Sequence, residues 1–275
     1  MLLPCVFISV STMYIHMESL IKECKPSGNS ASIYVPKEWE NHLARVSLLS
    51  PRDVILEVLK PHLQYVKGAY IYGSHVRGEA REGSDIDTLV IVSKRIEIKS
   101  KKPLELIVAT EEELKAELDR HPITLKPILN EAQALINGEL LEKLRAVEVD
   151  SQKYLDFLSE TMQRTKEYAP MIENEQKLRA VVYSLMLRLK AVYHLQLMNE
   201  GVKYMHKGFQ KYALDHGLDK DAYSGLYLVY RMVRDKKPVS EARITLDDIK
   251  RLNEIVSAEA ERMKVMLNAE KKKAS

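Results

Sequence analysis

One stretch of this 275-residue chain carries most of its chemical content: Tyr70-Ile-Tyr-Gly-Ser-His-Val-Arg-Gly-Glu-Ala-Arg-Glu-Gly-Ser-Asp-Ile-Asp-Thr-Leu-Val-Ile-Val. Gly73 can turn the backbone sharply and bring it close to a ligand with no Cβ in the way. Ser74 follows where a short helix would begin, and a hydroxyl beside free backbone N–H groups suits a phosphate oxygen. Asp85 and Asp87 stand two apart at the head of a β-branched run, so on a strand both carboxylates point to one face, with Cα atoms about 6.5–7 Å apart. Carboxylates at that reach can share hard divalent cations, and Mg²⁺ is commonly held by one or two carboxylates plus substrate phosphates. Two such ions about 3.5–4 Å apart stabilise the attacking and leaving oxygens of an in-line displacement. A third acid would complete the cluster or take the proton of an acceptor hydroxyl. Glu105, a lone charge in Pro103-Leu-Glu-Leu-Ile-Val, is the leading candidate, because burying it without a partner is costly. Glu97, in Arg95-Ile-Glu-Ile-Lys, is the second.

Holding these groups in place requires strands with helices between them. Ala69–Tyr72, Ile86–Val92 and Leu104–Ala109 read as strands, and Ile123–Leu129 as a further short one. A helix is expected from Pro51 to about Tyr65, with Ser50 as its N-cap and Pro61 kinking or ending it. Others are expected over 75–81, over 111–119 behind a Thr110/Glu113 capping box, and over 130–145. Residues 26–31, Pro-Ser-Gly-Asn-Ser-Ala, read as a loop. After Asp150 the period changes, and 152–168, 173–200, 219–235 and 245–268 all read as helices. Leu178, Val181, Val182, Leu185, Met186, Leu189, Val192 and Tyr193 fall on one wide apolar stripe, with Gly201 as C-cap. Thr245 with Asp248 caps the last helix. The tail Glu270-Lys-Lys-Lys-Ala-Ser reads as a frayed, solvated end. The expected organisation is an extension over 1–50, an α+β domain over 51–148 and an antiparallel all-α bundle over 150–275.

The composition is that of a globular protein: 45% hydrophobic, 29% charged and a formal net charge of +3. So mild a basic excess casts no vote for nucleic acid. Two cysteines, Cys5 and Cys24, in no metal-ligand spacing, exclude a disulfide scaffold and point to a reducing, cytoplasmic setting. No apolar run reaches the roughly 20 residues that span a bilayer. The first 20 residues lack the basic start and cleavage pattern of a signal peptide. They read as a strand, or as an extension ahead of a start at Met13 or Met17 in place of Met1. Trp39 and both cysteines read as packing residues. His194, His206 and His216 are too scattered for a metal site. Of 14 tyrosines, nine follow residue 150, which suits the packing of an aromatic-rich bundle better than base stacking.

The pattern Gly73-Ser74, ten residues, Asp85-x-Asp87 resembles the signature of the DNA polymerase β-type nucleotidyltransferase superfamily. The flanking Arg77-Gly78 and Gly83-Ser84 are most similar to its minimal archaeal and bacterial members, with the aminoglycoside nucleotidyltransferases further off. The helical half is similar in outline to the HEPN-type bundles and to the C-terminal bundle of kanamycin nucleotidyltransferase. The resemblance implies an α+β nucleotidyltransferase domain with a mixed, mainly antiparallel sheet, followed by the bundle. It implies Asp85, Asp87 and Glu105 as the catalytic, metal-binding acids, and Gly73, Ser74, Arg77 and Ser84 as the groups toward the nucleotide. The implied reaction is Mg²⁺-dependent transfer of a nucleoside monophosphate from an NTP, ATP first among them, to an acceptor hydroxyl with release of pyrophosphate. Two magnesium ions are expected, with the acceptor in the cleft between domain and bundle. The acceptor itself is left open among a small molecule, a protein side chain and an RNA end, as is pairing of two copies through the bundle.

Two other readings stand beside this one. The chain could be an antitoxin-like or nucleotide-sensing module that binds without turnover. The bundle could be a ribonuclease beside an inactive domain, since Arg188 and His194 have the spacing of the HEPN motif. Six residues, however, set those two about 120° apart on a helical wheel, and the tyrosine expected shortly after the histidine is replaced by Leu195 and Gln196.

Overall fold

The structure, a computed structural model, describes residues 20, 22, 24–81, 83–236, 238 and 243–274. Cys5, the candidate starts and the strand expected at the N-terminus lie outside the described residues. The chain divides into two compact units, residues 1–48 and 49–275. The first holds a hairpin of β1 (Lys25–Ser27) and β2 (Ser30–Ser32). The expected loop over 26–31 is thus only the Gly28-Asn29 turn, with Gly28 at φ +58°. A single 3-10 turn follows over Lys37–Trp39. Cys24 is exposed and free, not a packing residue.

The second unit opens with α1 (Pro51–Leu59), where Ser50 Oγ accepts the Asp53 N–H and the Asp53 carboxylate accepts the Ser50 N–H. Pro61 falls in a 3-10 segment, Lys60–Tyr65, that ends the helix. Next come β3 (Val66–Tyr72), the one-turn α2 (Ser74–Arg77), β4 (Ile86–Val92) and β5 (Leu104–Thr110). These are followed by α3 (Glu111–Arg120), α4 (Pro122–Glu131), β6 (Gln133–Ile136) and α5 (Gly138–Arg145). Two expectations are corrected here. Residues 123–129 form helix α4, not a strand, and β6 interrupts the helix expected over 130–145. Pro122 sits at the first turn of α4, where its missing N–H costs nothing. Leu125 and Leu129, one helical turn apart, are both buried.

The sheet runs β5-β4-β3-β6, with β4 and β5 parallel and the other pairs antiparallel. It is the mixed, mainly antiparallel α+β sheet expected, and both its faces are covered. Ala69, Ile71, Ile86, Val90, Val92 and Leu104 face α1 in one core. Tyr70, Leu89 and Ile91 face the leucines of α3, α4 and α5 in another. The alternation along β4 and, past a bulge at Val66/Gly68, along β3 sets which residues share a face.

After residue 150 the unit is helical: α6 (Ser151–Glu173), α7 (Leu178–Glu200), α8 (His206–Asp215), α9 (Lys220–Arg234) and α10 (Leu246–Ala274). The sequence pattern left α8 unassigned and began α7 five residues early. Of the α7 stripe, Val181, Val182, Leu185, Met186, Leu189 and Tyr193 enter one core with Leu178 partly buried against it, whereas Val192 lies with Leu195 in a second cluster on another side of the helix. Helix α10 packs along α6 and α7, and α9 packs on α7. Tyr193, Tyr204, Tyr212, Tyr223 and Tyr230 lie in the bundle core, so the tyrosine excess is largely packing. No helix among the described residues is long and apolar enough to cross a membrane.

Candidate active site

The acids are placed by strand register. Asp87 pairs with Glu105 across the parallel β4–β5 ladder and with Tyr72 across the antiparallel β3–β4 ladder. In-register partners share a face, so Tyr72, Asp87 and Glu105 form one row with strands about 4.8 Å apart. The row lies on the face shared with Leu89 and Ile91, at the strand end where the α3–α5 leucines stop covering the sheet. Asp85 stands one residue ahead of β4 and close enough to act electrostatically on Asp87. Its nearest cation is the exposed Lys102, 3.9 Å away. Glu97 is exposed on the β4–β5 connection, whose Ile96 and Ile98 pack into the opposite core, and does not join the row.

Asp87 is half-buried, and burial lifts its carboxyl to about 6, helped by the charges of Glu105 and Asp85 and opposed by Arg77. Gly73 shows why no other residue would serve in front of it. Its φ is +77°, and a Cβ there would fall 2.2 Å from Asp87 Oδ2. The glycine thus lets the turn close directly over the carboxylate.

The turn also binds a residue that the sequence pattern passed over. Glu131, the last residue of α4, accepts the Gly73 N–H through Oε1 (3.0 Å) and Arg77 Nη1 through Oε2 (2.7 Å). Glu79 accepts Arg77 Nε at 2.8 Å and, through its other oxygen, the His206 N–H at the start of α8. Arg77 therefore lies between two carboxylates, with its guanidinium 5.2 Å from the centre of the Tyr204 ring. Of the nucleotide-side candidates, Gly73 and Arg77 face the cleft. Ser84 is used locally, its hydroxyl accepting the Arg81 N–H at 2.9 Å. Ser74 begins α2, whose single turn carries little helix dipole.

A cleft of about 520 Å³ opens between the sheet end, α4 and the bundle. Gly73, Asp87 and Glu131 line one side, while Phe157 of α6, Lys190 and His194 of α7 and Arg234 of α9 line the other. His194 stacks on Tyr204 at 4.4 Å, and burial together with Lys190 and Arg77 holds it down to about 3, neutral at ordinary pH. Arg188 Nη1 donates to Thr161 at 2.8 Å, and Nη2 donates to Glu160 at 2.8 Å. Both members of the alternative ribonuclease pair thus line the cleft. One is tied into α6, and the other is an uncharged stacking partner.

Among the described residues, no three His, Cys, Asp or Glu side chains are gathered closely enough to hold a metal ion as they stand. The donor set is nonetheless all carboxylate, the chemistry hard cations take. Burial first, and then the charges of Glu105 and Asp85, lift the Asp87 carboxyl to about 6, and a cation would relieve the repulsive part. Asp85, Asp87 and Glu105 therefore fit such a group by chemistry.

A search of curated proteins returns no match. Among solved structures, the chain is similar to a spectinomycin adenyltransferase from Enterococcus faecialis, crystallised with ATP and spectinomycin. The two are 14% identical, with 77% of this chain and 98% of that one covered and a TM-score of 0.44. It is also similar to a nucleotidyltransferase-like protein from Exiguobacterium sibiricum, at 13% identity, 77% and 75% coverage and a TM-score of 0.33. The profile of the nucleotidyltransferase domain family matches residues 52–204, from α1 through the sheet, the acids and α7 to Tyr204. With more than half its length inside that match, the chain belongs to the nucleotidyltransferase domain family and is an enzyme of that kind.

Proposed function

We propose that this enzyme transfers a nucleoside monophosphate from an NTP, with ATP the expected donor, to an acceptor hydroxyl in the cleft, releasing pyrophosphate. The observation that carries the reading is the register of β4 on β5, which sets Asp87 beside Glu105 with Asp85 at the strand's head and Gly73 closed over the Asp87 carboxylate. Asp85, Asp87 and Glu105 would hold divalent magnesium, which when bound neutralises phosphate charge and favours in-line displacement. The chain's own contribution is largely positioning and electrostatics. Gly73 brings the turn against the nucleotide tail, and Arg77, braced by Glu79 and Glu131, adds positive charge beside it. Glu131 faces the cleft, whereas Glu105 sits on an exposed strand position. Both Glu131 oxygens are already engaged, by the Gly73 N–H and by Arg77, so Glu131 braces the turn, and Glu105 is left to hold metal or to receive the acceptor proton. A reducing, cytoplasmic setting follows from the cysteine usage.

The test is incubation with α-labelled ATP and Mg²⁺ in the presence of acceptor panels of small molecules, proteins and RNA ends, measuring labelled acceptor and pyrophosphate. Asp85→Asn and Asp87→Asn should each lower release by at least about a hundredfold, the scale of losing one electrostatic group at a reacting centre. Variants that release pyrophosphate at the wild-type rate would sink the assignment.

A further inference from the structure

Helix α4 has two apolar sides. Leu125 and Leu129 turn into the core against the sheet. Ile123, Pro127 and Ile128 line the cleft instead, each half-buried. Phe157 of α6 and Leu187 and Ala191 of α7 line the same cavity. Leu187 and Ala191 stand four apart, so they share a face of α7. Leu187 is 40% exposed, although Leu185 and Leu189 on either side of it are fully buried. A lone exposed leucine needs no explanation, but an apolar surface gathered in a concavity marks a ligand site.

The charges of the cleft narrow the kind of ligand. Asp87 belongs to the acid row, and both Glu131 oxygens are taken by the Gly73 N–H and Arg77. Among the described residues no other carboxylate lines the cavity, whereas Arg77, Arg188, Lys190 and Arg234 all do. His194 is neutral. An amine brought in here would lose its water, find no free anion and meet like charge. An anionic acceptor would meet the phosphates of the nucleotide, and Arg188 and Arg234 already hold Glu160 and Asp235 at 2.8 and 2.7 Å.

We infer that the acceptor is a small uncharged hydroxyl compound with an apolar face, seated between α4, α6 and α7, and that Leu187 is a residue that sets this selectivity. The inference rests on the proposed transfer reaction for the hydroxyl. Its oxygen bonds the α-phosphorus as the bond to pyrophosphate breaks, and its proton passes to the acid row. The three helices pack against one another around the apolar part, and a cavity of about 520 Å³ is of the size that takes a small molecule.

The site can be tested without turnover. The uncharged fluorophore N-phenyl-1-naphthylamine, bright only in apolar surroundings, is titrated into the full chain. Wild type should bind it, Leu187→Met within a few-fold of wild type, and Leu187→Asp at least about tenfold more weakly. Should Leu187→Asp fail to fold, Leu187→Ser takes its place in this titration. Bound probe is then displaced with aromatic and alicyclic alcohols, each paired with its primary-amine analogue. On wild type the neutral member of a pair should displace at least about tenfold better than the amine. Leu187→Asp should cut that preference at least about tenfold, because it supplies the missing anion. A merely structural defect would weaken both members of a pair alike. Asp87→Asn should keep probe binding and the preference. Loss of the transfer reading, seen as absence of Asp87-dependent pyrophosphate release, is therefore told apart from failure of the acceptor site. The inference is overturned if wild type does not bind the probe, if Leu187→Asp or Leu187→Ser binds it as wild type does, or if amines displace it from wild type as well as their neutral partners.

Discussion

Asp87 combines two roles whose costs can be measured separately. Its carboxyl is held at about 6 against an ordinary 3.8, by burial first and by Glu105 and Asp85 next. An acid raised in the folded state costs stability while ionised. For Asp87 that cost is full above about pH 6, shrinks as pH falls from 6 toward 4, and is gone below. In EDTA at pH 7.5, Asp87→Asn should therefore stabilise the protein. After discounting for solvent screening the gain is of order 1 kcal/mol, or about 2–4 °C in melting temperature. At pH 4 the two proteins should converge, and adding Mg²⁺ should raise wild type above the variant. A variant that melts lower than wild type in EDTA at pH 7.5 would show that the ionised Asp87 carboxylate costs the fold nothing. Gly73 makes the complementary case. An alanine there meets both a left-handed backbone and the Asp87 oxygen at 2.2 Å. Gly73→Ala should cost about 1–3 kcal/mol in urea unfolding and nearly all transfer activity. Activity within a few-fold of wild type would mean that the turn does not need to touch the acid.

At the scale of elements, the parts that the sequence shows plainly are those whose chemistry is local. The capping boxes Ser50/Asp53, Thr110/Glu113 and Thr245/Asp248 all form, because a cap needs only its own four residues. Asp85, Asp87 and Glu105 were legible for a similar reason, since two stand at the head of one strand and the third breaks an apolar run. Glu131 and Lys190 were not. Residues 122–131 carry two prolines and three β-branched residues, which suit a strand as well as a helix. Tertiary packing decides for the helix, burying Leu125 and Leu129 against the sheet side and setting Ile123 against the Leu158 and Val192 cluster on the other. Misassigning that segment hides Glu131, whose partners lie 54 and 58 residues away. Lys190 is hidden as one charge within an amphipathic helix. The link from α2 to α8 was equally invisible, being two bonds to Glu79 from groups far apart in sequence. Glu79→Ala should loosen it, costing about 1–2 kcal/mol and raising hydrogen exchange at the His206 amide. Unchanged exchange there would mean the contact does not hold α8.

For the unit spanning residues 49–275, the question is whether the sheet domain and the bundle are separable. Helix α4 argues that they are not. Its Leu125 and Leu129 belong to the core between the sheet and α3–α5, while its Ile123 packs into the α6–α7–α10 cluster. Glu79 ties the same two parts together on the far side of Arg77. The cleft thus has two walls joined through one helix, and melting either wall strips α4 of half its partners. A single cooperative transition is therefore expected, with far-UV circular dichroism and the near-UV tyrosine signal following one curve in urea. The near-UV signal weights the bundle, where Tyr193, Tyr204, Tyr212, Tyr223 and Tyr230 are buried, whereas far-UV reports every helix and strand. Leu129→Ala, fully buried on the sheet side, should move both curves together by about 2–5 kcal/mol. Two separated transitions, with only the earlier one moved by Leu129→Ala, would show instead that the bundle stands alone and that the cleft is a docked interface free to open.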